Sequence, residues 1–256
     1  MNSTPRPSID AKRMVVFDDV QQASHHVADE IIQLVGTKPS AVLGLATGST
    51  PIAVYEELIR RYRAGEVDFS KITTFNLDEY VGLSPEHPQS FAAFMRTHLF
   101  DAIDVPEHHT HVPAGVANDF LSTAELFEKK IQTSGGIDWQ LLGIGDNGHI
   151  GFNEPGSPGD SGTRLVELAD ETIEANSRFF DSPDDVPRQA ITMGIATILK
   201  AKRLVLMAFG AAKAQAVADA VAGPVTPDCP ASFLQRHPNA TFIVDRAAAA
   251  ALPTEA

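Results

Sequence analysis

The sequence LLGIGDNGHIGFNEPG, residues 141–156, joins a run of branched apolar residues to a glycine-rich loop that carries acid–base side chains. Asn147, His149, Asn153 and Glu154 fall within eight positions of this loop. Histidine has the unperturbed side-chain pKa nearest to neutral pH, and a nearby carboxylate can orient the ring and stabilise its charged form. We therefore interpret His149 as a candidate proton-transfer residue, with Glu154 as its partner.

Two simpler interpretations of His149 are a metal ligand and a structural histidine. A metal site needs three or four ligands, and the loop offers no HxH or CxxC spacing that would supply them. A polar, glycine-rich loop after a strand is also an unusual place for a purely structural histidine. We expect acid–base chemistry without a metal at this loop.

A second candidate is the sequence FNLDEYVGL at residues 75–83, where a predicted strand ends in two adjacent carboxylates, Asp78 and Glu79. Partial burial at the end of a strand raises the pKa of a carboxyl group toward the range that suits proton abstraction. Asp78 is therefore the candidate general base. Adjacent acids that are merely solvated are the simpler alternative.

A third candidate is the loop GLATGSTP at residues 44–51, which lies between a predicted strand and a predicted helix. Thr47, Gly48, Ser49 and Thr50 combine hydroxyl groups and close backbone approach with the free N–H groups of a helix start. This pattern predicts a phosphate-binding loop, or otherwise an ordinary capped turn. The Walker lysine and the GxGxxG spacing are missing, so nothing favours a nucleotide.

Two basic residues could complete a phosphate site. Arg178 follows the sequence Ala-Asn-Ser, and Lys213 lies at the start of a predicted helix after a strand. On so acidic a chain, a lysine in a strand-to-helix loop is a reasonable anchor for a phosphate. Taken singly, either residue could equally be an ordinary surface charge.

Alternating strands and helices must position these loops. Short runs of branched apolar residues predict buried strands. The predicted strands are Met14 to Phe17, Ala41 to Leu45, Ile72 to Leu77, Trp139 to Ile144, Leu204 to Ala208 and Thr241 to Val244. Predicted helices include Pro51 to Ala64, Phe91 to Phe100, Phe120 to Gln132 and Ala211 to Val221, with one more around Val27, Ile31 and Leu34 that Asp18 and Asp19 could cap.

This alternation predicts a single-domain, doubly wound α/β fold, Rossmann-like, with a mostly parallel sheet and helices on both faces. In such a fold ligands bind beyond the carboxyl ends of the strands, where all three candidate loops lie. We expect the domain to span residues 14–256, after a loosely ordered extension of residues 1–13.

The composition of the chain argues against several classes of partner and location. The chain has 256 residues, and its net charge of -13 argues against a nucleic-acid partner. The single Cys229 cannot form an internal disulfide, and no apolar stretch approaches the roughly 20 residues that span a bilayer. The N-terminus lacks the apolar core of a signal peptide. We expect a cytoplasmic protein that binds neither nucleic acid nor membrane.

Taken together, these motifs resemble the glucosamine-6-phosphate deaminase family, and in particular its shorter, non-allosteric members. The resemblance runs from about Met14 to Asp245 and ends in the sequence LQRHP at residues 234–238. The matching motifs are, in order, LGLATGSTP, TFNLDEYVGL followed by EHPQSF, LGIGDNGHIGFNEPG, ANSRFFD and GAAKAQAV.

The resemblance implies conversion of glucosamine 6-phosphate and water to fructose 6-phosphate and ammonia. It implies that His149 promotes ring opening with the support of Glu154, and that Asp78 moves the proton between C2 and C1. It also implies that Thr47, Gly48, Ser49, Thr50, Arg178 and Lys213 hold the phosphate of a small-molecule sugar phosphate. It implies neither a metal nor an organic cofactor.

The chain departs from the family pattern at three places. Asn147 stands where many members have aspartate, so its expected role is to position His149 without adding charge. Gly162 replaces a residue that is usually arginine. Arg164-Leu165-Val166 stands where allosteric members carry Arg-x-Lys. An incomplete activator site predicts a monomer or a small homo-oligomer.

Three alternatives remain. A 6-phosphogluconolactonase shares the fold but generally replaces the Asp78-Glu79-Tyr80 and Phe152-Asn153-Glu154-Pro155 motifs. A galactosamine-6-phosphate deaminase would differ only in the orientation of one hydroxyl group of its substrate. A non-catalytic sugar-phosphate-sensing module would have lost the acid–base residues and carried a DNA-binding helix pair.

Overall fold

The computed structural model of the protein describes residues 13–252. The described chain contains ten strands. They are β1 (Met14–Phe17), β2 (Val42–Leu45), β3 (Thr73–Asn76), β4 (Asp78–Tyr80), β5 (Thr110–His111), β6 (Trp139–Leu142), β7 (Arg164–Glu167), β8 (Gln189–Thr192), β9 (Leu204–Ala208) and β10 (Ala240–Asp245). Every predicted strand is confirmed to within two residues at either end.

The described helices connect these strands. They are α1 (Val20–Thr37), α2 (Ile52–Arg63), α3 (Phe91–His98), α4 (Phe120–Thr133), α5 (Asp170–Ser177), α6 (Ile195–Ile198) and α7 (Ala214–Ala222). The predicted helix Ala211 to Val221 begins instead with a 3-10 turn at Ala211–Lys213, and α7 follows it. As predicted, Asp19 caps α1 by accepting a 2.8 Å hydrogen bond from the backbone N–H of Gln22.

Seven strands form one parallel sheet in the order β1-β10-β9-β6-β2-β3-β5. From β2 the chain winds outward through β3 to β5, and from β6 it winds the other way through β9 and β10. The winding direction therefore reverses between the neighbours β2 and β6. The predicted doubly wound α/β fold is confirmed, and such a reversal opens a crevice at the carboxyl ends of the two strands.

A second, three-stranded sheet is antiparallel, with the order β4-β8-β7. The residues of β4 are predicted from the sequence to lie in a loop, and β7 and β8 are not predicted. The chain leaves the large sheet at Leu77, between β3 and β4, where the Leu77 carbonyl accepts a 2.7 Å hydrogen bond from the N–H of Met193. The small sheet thus begins at the predicted general base, Asp78, and packs on its own apolar cluster around Tyr80 and Phe152.

Apart from Arg13, the extension predicted at residues 1–13 lies outside the described residues. No helix in residues 13–252 is long and apolar enough to cross a membrane.

Candidate active site

The three candidate loops meet at the carboxyl edge of the large sheet. The loop containing Thr47 to Thr50 follows β2, Asp78 follows β3, and the glycine-rich loop follows β6. Lys213 follows β9, which lies beside β6. The order β9-β6-β2-β3 places these loops side by side at the crevice.

A chain of hydrogen bonds holds the imidazole of His149. The Oδ1 atom of Asn147 lies 2.8 Å from His149 Nδ1 and accepts a 3.2 Å bond from the backbone N–H of His149. The Asn147 amide nitrogen donates to Glu154 Oε2 at 2.9 Å, and the same oxygen lies 3.4 Å from His149 Nδ1. Asn147 therefore bridges the ring and the carboxylate.

This arrangement selects one form of the imidazole. The oxygen of Asn147 can only accept, so the proton of a neutral ring lies on Nδ1 and the Nε2 atom keeps its lone pair. Gly145 makes room for the ring, because a Cβ atom at that position would lie 2.2 Å from His149 Cε1. Nε2 is thus the ring atom that remains available for a proton transfer.

The carboxylate of Glu154 is shared between two partners. Its Oε2 atom serves Asn147 and His149, while its Oε1 atom accepts a hydrogen bond from the hydroxyl group of Thr172 in α5. Burial opposes its ionisation, but hydrogen bonds and charge from His149, Thr172 and Asn147 outweigh that effect and lower the pKa of Glu154 to about 2. Glu154 is therefore ionised at neutral pH.

Asp78 is a buried carboxyl group on the other side of the loop. Burial, followed by repulsion from the charge of Glu79, raises the pKa of Asp78 to about 8. A Cβ atom on Gly151 would lie 3.2 Å from Asp78 Oδ2 and 3.0 Å from Thr192 Oγ1. Gly151, two residues after His149, is therefore where the glycine-rich loop passes against the predicted base.

Glu79 is not a solvated neighbour of Asp78. Its carboxylate accepts 2.9 Å hydrogen bonds from the backbone N–H groups of Tyr80, Phe91 and Ala92, the last two at the start of α3. Burial raises the pKa of Glu79, and these three donors act against that shift. Glu79 thus ties the strand that carries Asp78 to α3.

Asn153 is structural. It is completely buried, and its amide nitrogen donates to the carbonyl groups of Ile150 and Met193 at 2.8 Å each. Its oxygen accepts a 2.8 Å bond from Arg164, whose guanidinium also donates to Ser157 at 3.2 Å. Asn153 fixes the turn between His149 and Glu154 and links it to β7.

The predicted phosphate residues lie in three separate segments of the chain. Thr47 and Thr50 are half-buried and Gly48 and Ser49 are exposed, all in the turn before α2. Lys213 Nζ lies 2.5 Å from Asp146 Oδ1, so this lysine is paired within the crevice.

Arg178 stands apart from the other phosphate candidates. It is exposed at the C-terminal end of α5, with its guanidinium 4.7 Å from the ring centre of Phe179. No hydrogen bond or ion pair joins it to the other predicted site residues within the described chain. Residues 13–252 also contain no group of three His, Cys, Asp or Glu side chains placed to hold a metal ion.

The chain is similar along most of its length to known proteins. The family model for glucosamine-6-phosphate isomerases/6-phosphogluconolactonase matches residues 18–243. A protein named glucosamine-6-phosphate deaminase from Rhodopirellula baltica is 55% identical over 241 residues, which cover 94% of this chain and 96% of that protein. The chain belongs to the glucosamine-6-phosphate isomerase/6-phosphogluconolactonase family.

Other members of this family place the chain more closely. A protein named glucosamine-6-phosphate deaminase from Halothermothrix orenii is 51% identical, with 94% of this chain and all of that protein covered. The solved structure of a monomeric glucosamine-6-phosphate deaminase matches with a TM-score of 0.91 at 42% identity, covering 93% of this chain and 99% of that one. The solved structure of a 6-phosphogluconolactonase from Trypanosoma cruzi matches with a TM-score of 0.75 at 23% identity. The match covers 97% of this chain and 99% of that one, and it shows that the two share the fold.

Two polar residues that contact the candidate site were not predicted from the sequence. Thr172 contacts Glu154, and Thr192 lies beside Asp78 in the small sheet and accepts a 3.1 Å hydrogen bond from the N–H of Phe152. Single threonines in a helix and a short strand carry no local signal of a site. Only their contacts with predicted residues could have revealed them.

Proposed function

We propose that this chain is a glucosamine-6-phosphate deaminase, which converts glucosamine 6-phosphate and water to fructose 6-phosphate and ammonia. The observation that carries the proposal is the meeting, at Gly151, of a buried carboxyl of raised pKa with the loop that holds His149. The names and identities of the curated relatives support the same activity.

Ring opening is the first step of the proposed reaction. Nε2 of His149 takes the proton from the anomeric hydroxyl group and returns one to the ring oxygen, so that the C1–O5 bond breaks and an aldehyde forms. The imidazole is charged between these two transfers. Glu154 stabilises that charge, because its pKa of about 2 keeps it ionised, and Asn147 keeps the ring oriented.

Isomerisation and amine loss follow. Asp78 takes the proton from C2 of the open-chain amino sugar as the C1 carbonyl oxygen gains a proton. It then returns a proton to C1 while the amine nitrogen loses one, which leaves a hydroxyl group at C1 and an imine at C2. Water then adds to the imine carbon, the C–N bond breaks, and ammonia leaves with fructose 6-phosphate as the other product. A carboxyl with a pKa near 8 is basic enough to accept a carbon-bound proton more readily than an ordinary aspartate.

The substrate phosphate is proposed to bind at the start of α2. The turn of Thr47 to Thr50 directly precedes α2, so its N–H groups and the hydroxyl groups of Thr47, Ser49 and Thr50 are the proposed donors, and the helix start favours negative charge. Lys213, in the loop after β9, and Arg178, at the end of α5, are proposed to supply positive charge to the phosphate. The rest of the chain carries an excess of negative charge, so this local basic character matters for an anionic substrate.

The test is a direct assay of ammonia release by the purified chain. Glucosamine 6-phosphate, galactosamine 6-phosphate and 6-phosphogluconolactone are compared at equal concentrations, with lactone hydrolysis followed separately. We expect the gluco substrate to be turned over fastest. Faster turnover of the galacto epimer would correct the substrate, and lactone hydrolysis without ammonia release would overturn the proposal.

A further inference from the structure

Helix α5 is joined to the acid–base loop through a single side chain. Thr172, in the first turn of α5, is 6% exposed, and its hydroxyl group donates to Glu154 Oε1. Among residues 13–252 this is the only side-chain hydrogen bond from α5 to another segment. The helix otherwise reaches the body of the protein through apolar contacts such as that of Ile173 with the cluster around Tyr80.

The two oxygens of Glu154 have different partners. Oε1 faces the Thr172 hydroxyl, and Oε2 faces Asn147 and His149. A carboxylate rotates as a unit, so a donor on one oxygen fixes the direction of the other. Without the Thr172 hydroxyl, Oε1 of this largely buried group would lack that donor, and the carboxylate would turn toward another partner or toward water.

We propose that Thr172 is a positioning residue for ring opening, acting through Glu154 and Asn147 on the imidazole of His149. The inference rests on the proposed deaminase function. It also gives α5 a second role, because the helix that ends at Arg178, a proposed phosphate ligand, then also holds the acid–base network.

The variant that tests this inference is Thr172→Val, which keeps the shape of the side chain and removes the hydroxyl group. Thr172→Ser restores the donor, and Thr172→Ala removes it in a second way should the valine variant fail to fold. The matched control is Thr123→Val. Thr123 also lies in the first turn of a helix, but its hydroxyl group donates to the backbone carbonyl of Asp119 at 2.8 Å, far from the site.

Two substrates separate ring opening from the later steps. They are glucosamine 6-phosphate and an analogue that lacks the C4 and C5 hydroxyl groups and therefore can close neither a furanose nor a pyranose ring. For Thr172→Val we expect kcat on glucosamine 6-phosphate to fall about tenfold or more, the scale of a lost hydrogen bond to a charged group. We expect its KM for glucosamine 6-phosphate to stay within about threefold of wild type, and its kcat on the analogue to fall much less than its kcat on glucosamine 6-phosphate. The Thr172→Ser and Thr123→Val variants should have kcat and KM values within about threefold of wild type.

Different results would contradict the role of Thr172 and the proposed deaminase function. Equal losses on both substrates, or a rise in KM alone, would show that Thr172 only stabilises α5. An active wild type with unchanged Thr172→Val and Thr172→Ala variants would overturn this inference alone. A wild type that releases no ammonia would overturn the proposed function, and this inference with it.

Discussion

The carboxyl group of Asp78 connects activity to pH. Burial and the charge of Glu79 raise its pKa to about 8, so most of it is protonated at neutral pH in the free protein. A general base must be deprotonated, so we predict that kcat/KM rises with pH up to about 8.

Asp78→Asn should keep substrate affinity and lower kcat by about a hundredfold or more. Exchange of the C2 proton at the wild-type rate in this variant would exclude the role.

The raised pKa of Asp78 predicts that folding stability falls over the pH range in which activity rises. An unfolded aspartate has a pKa of about 3.9. The folded chain therefore holds its proton more tightly, and stability is lost as the pH rises from about 4 through 8. Asp78→Asn removes this titration and should raise the free energy of unfolding by roughly 1–3 kcal/mol at pH 8, with less gain at pH 5. Urea unfolding at pH 5 and pH 8 measures this difference in free energy, with the exposed Asp101→Asn variant as control. A larger increase in the free energy of unfolding at pH 5 than at pH 8 would contradict a raised pKa for Asp78.

Among the secondary-structure elements, α3 depends on a residue outside it. Glu79 accepts hydrogen bonds from the N–H groups of Phe91 and Ala92, and an amide in its place would turn its own N–H group toward one of these donors. We predict that Glu79→Gln lowers the free energy of unfolding by about 1–3 kcal/mol. It should also speed hydrogen exchange at those two amides. The exposed Glu56→Gln in α2 is the control, and equal stability of the two variants would show that the cap is unimportant.

Lys213, in the loop after β9, is expected to contribute to substrate affinity. Lys213 is paired with Asp146, so Lys213→Ala removes a positive charge and also leaves a carboxylate without its partner near the proposed phosphate site. We predict a KM for glucosamine 6-phosphate raised about tenfold or more, with a smaller effect on kcat, as for lost ground-state binding. Lys129→Ala, on the exposed face of α4, should leave KM unchanged. A wild-type protein that binds the dephosphorylated sugar equally well would argue against any phosphate site.

For the molecule as a whole, the prediction concerns regulation and assembly. A phosphorylated activator needs basic groups that bind it better in one conformational state. Arg164 already donates to Asn153 and Ser157 within its own chain, Val166 stands where activated members have lysine, and Gly162 lies near the carboxylate of Glu128.

We therefore predict hyperbolic kinetics, no activation by N-acetylglucosamine 6-phosphate, and a monomer or dimer in solution. Initial-rate curves with and without that compound test the first two points, and sedimentation equilibrium tests the third. A sigmoidal curve that becomes hyperbolic on its addition, or a hexamer, would show that an activator site exists elsewhere in the chain.

The sequence alone determined the main architecture and the composition of the site. Runs of branched apolar residues predicted six strands of the large sheet, because a strand buried on both faces must be apolar along its length. Turn and cap residues are also local signals, and they identified Asp19 and the loop before α2. The rule that ligands bind beyond the carboxyl ends of parallel strands then brought Asp78, His149 and Thr47 into one predicted site.

Tertiary structure decided what those residues contact. Glu79 meets Phe91 from 12 positions away, Thr172 meets Glu154 from 18, and the small sheet pairs Asp78 with Thr192. Such partners are selected by packing and by the need to satisfy buried polar groups, which no local pattern records. The small sheet was not predicted because its strands have only three or four residues and β4 begins with two acids. The fold buries both acids, gives Glu79 three backbone donors and raises the pKa of Asp78.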